Sequence, residues 1–230
     1  MTDLPLQEMQ SIASRFDLNN IDKKFLGDFI SNSLSFETDI TRDEVEKVLN
    51  GQTEEVDSKK VLLVKNHYEA FLFVVDLIKN EIELDENKLK DLHEVLMQDI
   101  DIGGLYRNVD ISIKGSNHTP PSHIKVYDRM KKYFDVLESG SKDLWELIAF
   151  SHVQLAKIHP FLDGNGRCAR LVLNYMLMKN KLLPIVIPYD DRRRYFDALE
   201  NFKVNKDIVP FVEYIKELEL KTLESYKDRA

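Results

Sequence analysis

Apolar residues recur at helical spacing along most of this chain, so the pattern predicts a succession of helices. Leu6–Phe16 is the first. Asp22 caps a second that runs to about Glu37. Thr41 followed by Glu44 spells a capping box for a third, ending near Gly51. Lys59–Asn80 is a long apolar-rich helix; its valines would suit a strand, but its length does not. Asp85–Gln98 follows, with Leu89, Leu92, Val95 and Leu96 on one face. Pro121–Leu137, Leu144–Ile158, Gly166–Leu183, Asp190–Phe202 and Val209–Lys227 complete the series. Asp101–Pro121 breaks the pattern. It carries three glycines, two prolines and the alternating Val109, Ile111 and Ile113, which reads as a short β-hairpin or an extended loop. The expectation is an all-α chain with one small β flap.

Composition supports one compact unit. The chain has 230 residues, 43% of them hydrophobic, with only 8 glycines and 7 prolines. There is no fixed-period repeat and no low-complexity linker. One domain spanning 1–230 is expected, with 1–56 as an N-terminal helical segment and 57–230 as the core. A single cysteine excludes an internal disulfide framework and suits a reducing compartment. No signal-peptide pattern or membrane-length apolar run is present, so the expected location is cytoplasmic. A formal charge of −8 argues against a general nucleic-acid binder.

The chemistry concentrates in residues 159–170, HPFLDGNGRCAR. The apolar stretch Leu144–Ile158 stops at Pro160 because proline disfavours a helical residue before it. A second apolar run, Cys168–Leu183, follows. The polar segment His159–Arg167 is therefore a short turn between two buried helices. Gly164 and Gly166 permit a turn whose successive N–H groups form an anion nest, and the helix N-terminus that follows also favours anions. Arg167 and Arg170, three residues apart, leave one helix face and present planar forks suited to phosphate oxygens. Asp163 would repel a polyphosphate unless a cation lay between them, as Mg²⁺ does in phosphate sites. His159 titrates near neutrality and can take a proton from a nucleophile. Singly, a Gly-x-Gly is usually only a turn and a His-Pro only a helix end. Together they point to transfer of a phosphorus-centred group from a Mg-nucleotide to a hydroxyl. Cys168 lies inside the apolar run and reads as packed. His67, His93, His118, His123 and His152 show no metal spacing and read as structural or surface residues.

This segment resembles the signature of the Fic family, H-x-F-x-[D/E]-G-N-G-R-x-x-R, at every defined position. The resemblance implies an all-helical fold that transfers AMP from ATP to a Ser, Thr or Tyr hydroxyl of a target protein. His159 is then the base, Asp163 holds Mg²⁺ (or Mn²⁺), and Gly164, Asn165 and Gly166 cradle the α- and β-phosphates. Arg167 contacts the phosphates, Arg170 the γ-phosphate, and Phe161 anchors the loop. The similar Doc-type kinases replace the middle glycine of the turn; Gly164 is kept here, which favours nucleotidyl transfer.

Three further segments are similar to parts of that family. GLYRNVDISIKGSNHTPP resembles its flap, in which Val109, Asp110, Ile111, Ser112 and Ile113 would pair with an extended target segment. DDRRRYFDALENF resembles the stretch where a tyrosine packs against adenine, here Tyr195 with Phe196 behind it, and Asn205 is the adenine-side asparagine. Arg192–Arg194 reads as a solvated charge run. Ser33-Leu-Ser-Phe-Glu37-Thr38 resembles the inhibitory motif [S/T]-x-x-x-E-[G/N], departing at Thr38; it assigns Ser33 and Glu37 to an N-terminal inhibitory helix, with Glu37 set against Arg170. The partners implied are ATP, a divalent metal and a hydroxyl-bearing target, with self-modification and a homodimer as further options. Removal of AMP, transfer of another phosphorus-containing group, and a nucleotide-sensing module without turnover remain the alternatives.

Overall fold

The computed structural model describes residues 4–113, 115–140 and 143–227. Ten α-helices are found among them: α1 Leu6–Ala13, α2 Lys23–Ser35, α3 Arg42–Leu49, α4 Ser58–Lys79, α5 Glu86–Met97, α6 Val126–Ser139, α7 Leu144–Ile158, α8 Asn165–Lys179, α9 Arg192–Asn205 and α10 Val209–Lys227. No strand occurs among the described residues. The all-α expectation holds. The flap runs as an extended loop rather than a paired hairpin, and Lys114 within it lies outside the described residues.

The N-termini follow the capping logic of the sequence. Asp22, Asp57, Asp85 and Asp143 each accept a backbone N–H in the first turn of α2, α4, α5 and α7. Thr41 and Glu44 close the expected capping box on α3, with Thr41 N donating to Glu44 Oε2 at 2.8 Å and Glu44 N to Thr41 Oγ1 at 3.2 Å. Gly140 ends α6 in the left-handed conformation that costs glycine nothing.

α7 and α8 form an antiparallel pair at the centre, with α4, α5, α6 and α10 packed around them. Every residue of α8 from Arg167 to Met178 is buried, which explains why that segment is apolar on all sides. α2 and α3 lie over α4, and α2 also reaches α8. That contact places an N-terminal helix against the signature loop. No described helix is long and apolar enough to cross a membrane.

Two of the boundaries that differ from the sequence reading bear on the site; elsewhere α1 ends at Ala13 rather than Phe16, α6 begins at Val126 rather than Pro121, and α9 runs to Asn205 rather than Phe202. α8 stops at Lys179, not Leu183. Pro184 disfavours helix at Leu183, and Leu182–Ile187 continues as a buried extended run. With no neighbouring strand, its backbone is satisfied by side chains. Asn174 accepts from Ile185 N at 2.7 Å and donates to Ile185 O at 3.1 Å, while Glu219 accepts from Leu183 N at 2.8 Å. Glu219 is fully buried, and burial pushes its carboxyl up to about 8. The second difference is at α2, which ends at Ser35 and leaves Glu37 in the turn beyond it.

Candidate active site

His159 occupies the C-cap of α7 in the left-handed conformation, φ 53°. Only a few non-glycine residues adopt it, and here Pro160 forbids the helix to continue while His159 N still bonds Leu155 O at 2.9 Å. Its Nδ1 lies 3.3 Å from Ala156 O. A carbonyl can only accept, so the Nδ1 proton is fixed there and Nε2 is left as the free base. Burial, with Lys203 and Arg107 nearby, lowers the imidazole to about 4. The ring is therefore neutral at pH 7 and ready to accept a proton.

The loop after His159 is held from inside. Phe161 is fully buried and stacks on His93 with centroids 3.6 Å apart. Asn165 turns its amide inward, accepting from Phe161 N and donating to Phe161 O, both at 2.9 Å. Its contribution to a phosphate is thus through its backbone N–H. Gly164 is the N-cap of α8 at φ 71°, and a Cβ there would lie 3.0 Å from Met97 Sδ and 3.3 Å from His93 Nε2. Glycine is needed on both counts.

Arg167 and Arg170 are almost fully buried and converge on Ser33 and Glu37. Arg167 Nε donates to Glu37 Oε2 at 2.6 Å, and Arg170 Nη2 donates to Glu37 Oε1 at 3.3 Å. Arg170 is further held by Ser33, donating from Nε to Ser33 Oγ at 2.7 Å and from Nη2 to Ser33 O at 2.8 Å. The expected Ser33–Glu37–Arg170 grouping is present, with Glu37 closer to Arg167 than to Arg170. Glu37 Oε1 also lies 3.1 Å from the Cβ that Gly166 lacks, so its carboxylate sits against the phosphate nest. Arg167 Nη1 is buried without a hydrogen-bond partner, which leaves a donor for an incoming anion.

The Asp163 side chain is 63% exposed at the loop's rim, and its one protein contact is Arg167 Nη2 at 3.4 Å. No group of three or more His, Cys, Asp or Glu arranged for a metal exists among the described residues. Asp163 fits a cation that takes its other ligands from phosphate and water, and does not fit a cation held by protein alone.

The flap is tied down by residues to which the sequence reading gave no role. Arg107, 3% exposed, donates from Nε to His159 O at 2.9 Å, from Nη1 to Val109 O at 2.9 Å and from Nη2 to Pro121 O; its own N–H bonds Pro160 O at 2.8 Å. One guanidinium thus fixes the catalytic-loop entrance and both ends of the flap. The signal was visible as the Arg in Gly-Leu-Tyr-Arg. His93 Nδ1 accepts from Gly104 N at 3.0 Å, so the Nε2 proton donates to Asp163 O at 2.9 Å. The far end of the flap meets α9, where Glu200 accepts from Ser116 Oγ at 2.9 Å and Asn117 N at 3.0 Å. Between these ties, Val109 and Ser112 are exposed, and among the described residues no backbone–backbone hydrogen bond involves residues 108–112. Asp110 is turned away, accepting from His123 N at 2.7 Å and pairing with His123 Nδ1 at 2.8 Å; those contacts hold its carboxyl at about 2.

The adenine-side residues are less gathered. Tyr195 is buried, with its hydroxyl 2.9 Å from His152 Nε2 and its ring against Phe36, which leaves Phe196 as the half-exposed ring of the pair. Asn205 is exposed at the end of α9 and donates to Asn201 Oδ1 at 2.6 Å; no contact joins it to the loop residues. Lys203, two residues earlier, is buried beside the flap, with Nζ 3.4 Å from Ser116 Oγ.

Comparison with known proteins agrees with this geometry. Residues 83–177 match the Fic/DOC family. The protein adenylyltransferase Fic of Nematostella vectensis is 35% identical over 126 residues, covering 54% of this chain and 29% of that protein. The chain thus spans about a third of the length of the curated relatives it matches. Among solved structures, a Fic domain containing signaling protein from Bacteroides thetaiotaomicron superposes with a TM-score of 0.81 at 24% identity, covering 96% of this chain and 95% of that one. Fic-1 (residues 134–508) from C. elegans gives 0.85 at 19% identity, covering 97% and 70%. The chain belongs to the Fic/DOC family.

Proposed function

We propose that this chain transfers AMP from ATP to a hydroxyl of a protein and is held in check by Glu37. The observation that carries this reading is a neutral His159, its Nδ1 proton engaged, beside a glycine turn and two buried arginines. The target hydroxyl oxygen attacks the α-phosphorus, the bond to the β-phosphate breaks, and pyrophosphate leaves. His159 Nε2 takes the hydroxyl proton. The N–H groups at the start of α8, with Arg167 and Arg170, balance charge that builds on the phosphates. Mg²⁺ at Asp163 would neutralise phosphate oxygens when bound. The name of the Nematostella relative, a protein adenylyltransferase, supports the same chemistry for this chain.

The target is presented on the flap. Backbone groups at 108–112 that pair with no other backbone can bond an extended peptide whatever its side chains, placing a hydroxyl near His159. Glu37 holds the arginine forks a γ-phosphate needs, and this contact supports autoinhibition. The same carboxylate against the nest favours a second reading, removal of AMP from a modified target, with Glu37 positioning water. Incubating wild type and Glu37→Gly with α-labelled ATP and protein substrate tests the assignment. Label should be weak with wild type and strong with the variant. Release of AMP from a modified target by wild type alone would favour the second reading.

A further inference from the structure

Behind the flap, away from the Gly164–Gly166 nest, lies a cavity of about 410 Å³ bounded by α6, α7, α9 and the flap's return strand of chain. Its charged lining is cationic, Arg129 from α6, Lys157 from α7 and Lys206 from the end of α9, and the neutral polar groups beside them are Gln154, Thr119 and His118, whose imidazole burial pushes down. Ile158 and Phe202 form apolar walls. We propose that this cavity is a second anion site, binding a phosphate monoester through Arg129, Lys157 and Lys206.

The argument begins with charge. The chain carries 40 acidic and 32 basic residues, so carboxylates are in excess. Lys47, Lys60, Lys88 and Lys90 each have one within 4 Å. Arg129, Lys157, Lys203 and Lys206 have none among the described residues, although they share one neighbourhood. Lys157 Nζ and Lys206 Nζ donate to the same acceptor, Lys203 O, at 3.1 and 3.3 Å. Two ammonium groups drawn onto one carbonyl repel each other, and among the described residues no carboxylate lies within 4 Å to offset this; Lys157 Nζ has only the Phe202 ring, 5.0 Å from its centroid. Burial first, and then the neighbouring Lys206, Lys203 and Arg129, lower Lys157 to about 8. Glu200, the carboxylate acting on Lys203, is already engaged by Ser116 and Asn117.

The backbone points the same way. Lys206 caps α9 in the left-handed conformation, φ 62°, where glycine or asparagine is preferred. A lysine at that position sends an ammonium back toward Lys157. A dianion would take donors from both lysines and the Arg129 fork, and the apolar walls would hold the group that carries the phosphate. His118 Nε2 lies 3.1 Å from Lys157 O, so the cavity adjoins the flap and is two residues from His159. The proposal does not depend on AMP transfer.

The test is NMR of the full chain, following His118 and Phe202 beside the amides of Gly164–Gly166. Inorganic phosphate should shift His118 and Phe202 saturably, while sodium chloride at equal ionic strength should not. Lys157→Gln with Lys206→Gln should weaken this response at least about tenfold. Retained phosphate shifts at Gly164–Gly166 would show that the variant is folded. A phosphoserine peptide separates sources. Affinity well above that of inorganic phosphate, lost in the double variant, assigns a protein-borne phosphate; equal affinity assigns a free one. Unmoved His118 and Phe202, or an unchanged response in the folded double variant, would overturn the proposal.

Discussion

Glu37→Gly should raise ATP affinity far more than ADP affinity, and its size can be worked from the contacts. Glu37 lies in the turn after α2, where Glu37 N and Thr38 N both bond Leu34 O at 2.9 Å, bonds that glycine keeps. The loss is therefore of the carboxylate alone. It makes one short contact to Arg167 at 2.6 Å and one long contact to Arg170 at 3.3 Å. A charge-assisted bond contributes about 1.5–3 kcal/mol when buried. The Glu37 side chain is 31% exposed, so solvent screening and the long second contact reduce the pair to about 2 kcal/mol in total. If a γ-phosphate must displace that contact, wild-type ATP affinity is lowered by roughly 30-fold. The variant should regain about 10- to 30-fold for ATP and under about threefold for ADP, which has no γ-phosphate. Without ligand, the variant should be less stable, since two buried arginines lose a partner, and ATP should restore the loss. Calorimetric titration of both nucleotides into both forms measures this directly. An equal gain for ATP and ADP, or no gain, would refute the reasoning.

Three further outcomes follow from the same structure. Transfer should require Mg²⁺ or Mn²⁺ and fail both in excess chelator and in Asp163→Ala, whose melting temperature should match wild type because the side chain is exposed; full activity in chelator would remove the metal role. Gly164→Ala should cost about 1–2 kcal/mol, from the left-handed φ and the 3.0 Å approach to Met97 Sδ, and should weaken nucleotide binding; thermal melts and titration check it. Glu219→Gln should stabilise the fold in a pH-dependent way. The folded chain holds a proton on Glu219 up to about 8, whereas the unfolded chain releases it near 4.5, so stability falls as pH rises between those values. The gain should be roughly 4 kcal/mol at pH 8 and nearly vanish by pH 4.5, as melts at the two pH values would show.

What the sequence revealed was local. The helix starts at Asp22 and Thr41 depend on contacts two or three residues away, and the 159–170 signature carries its chemistry in twelve consecutive positions. What it concealed was long-range. Arg107 bonds residues 52 and 14 positions distant and His93 bonds one 70 away; the Gly-Leu-Tyr-Arg run marks Arg107 without naming its partners, and nothing beside His93 announces its own. Of the extended run Leu182–Ile187, Leu182 and Leu183 read as helix because an apolar pattern suits either state. Asn174 and Glu219, which satisfy its backbone, lie on other helices. Ser33 and Glu37 were singled out by their resemblance to the inhibitory motif, and the helix ends between them; both reach Arg170 because the turn after Ser35 continues the same rotation.

The most direct test of the central claim compares Glu37→Gly with Glu37→Gly/His159→Ala, using α-labelled ATP and cell lysate and reading modified peptides by mass spectrometry. Glu37→Gly should place AMP on Ser, Thr or Tyr hydroxyls. Adding His159→Ala should abolish that label while leaving ATP affinity nearly unchanged, because the imidazole acts on the incoming hydroxyl and not on the phosphates. Labelling by the double variant at the rate of Glu37→Gly would contradict the assignment of His159 as the base.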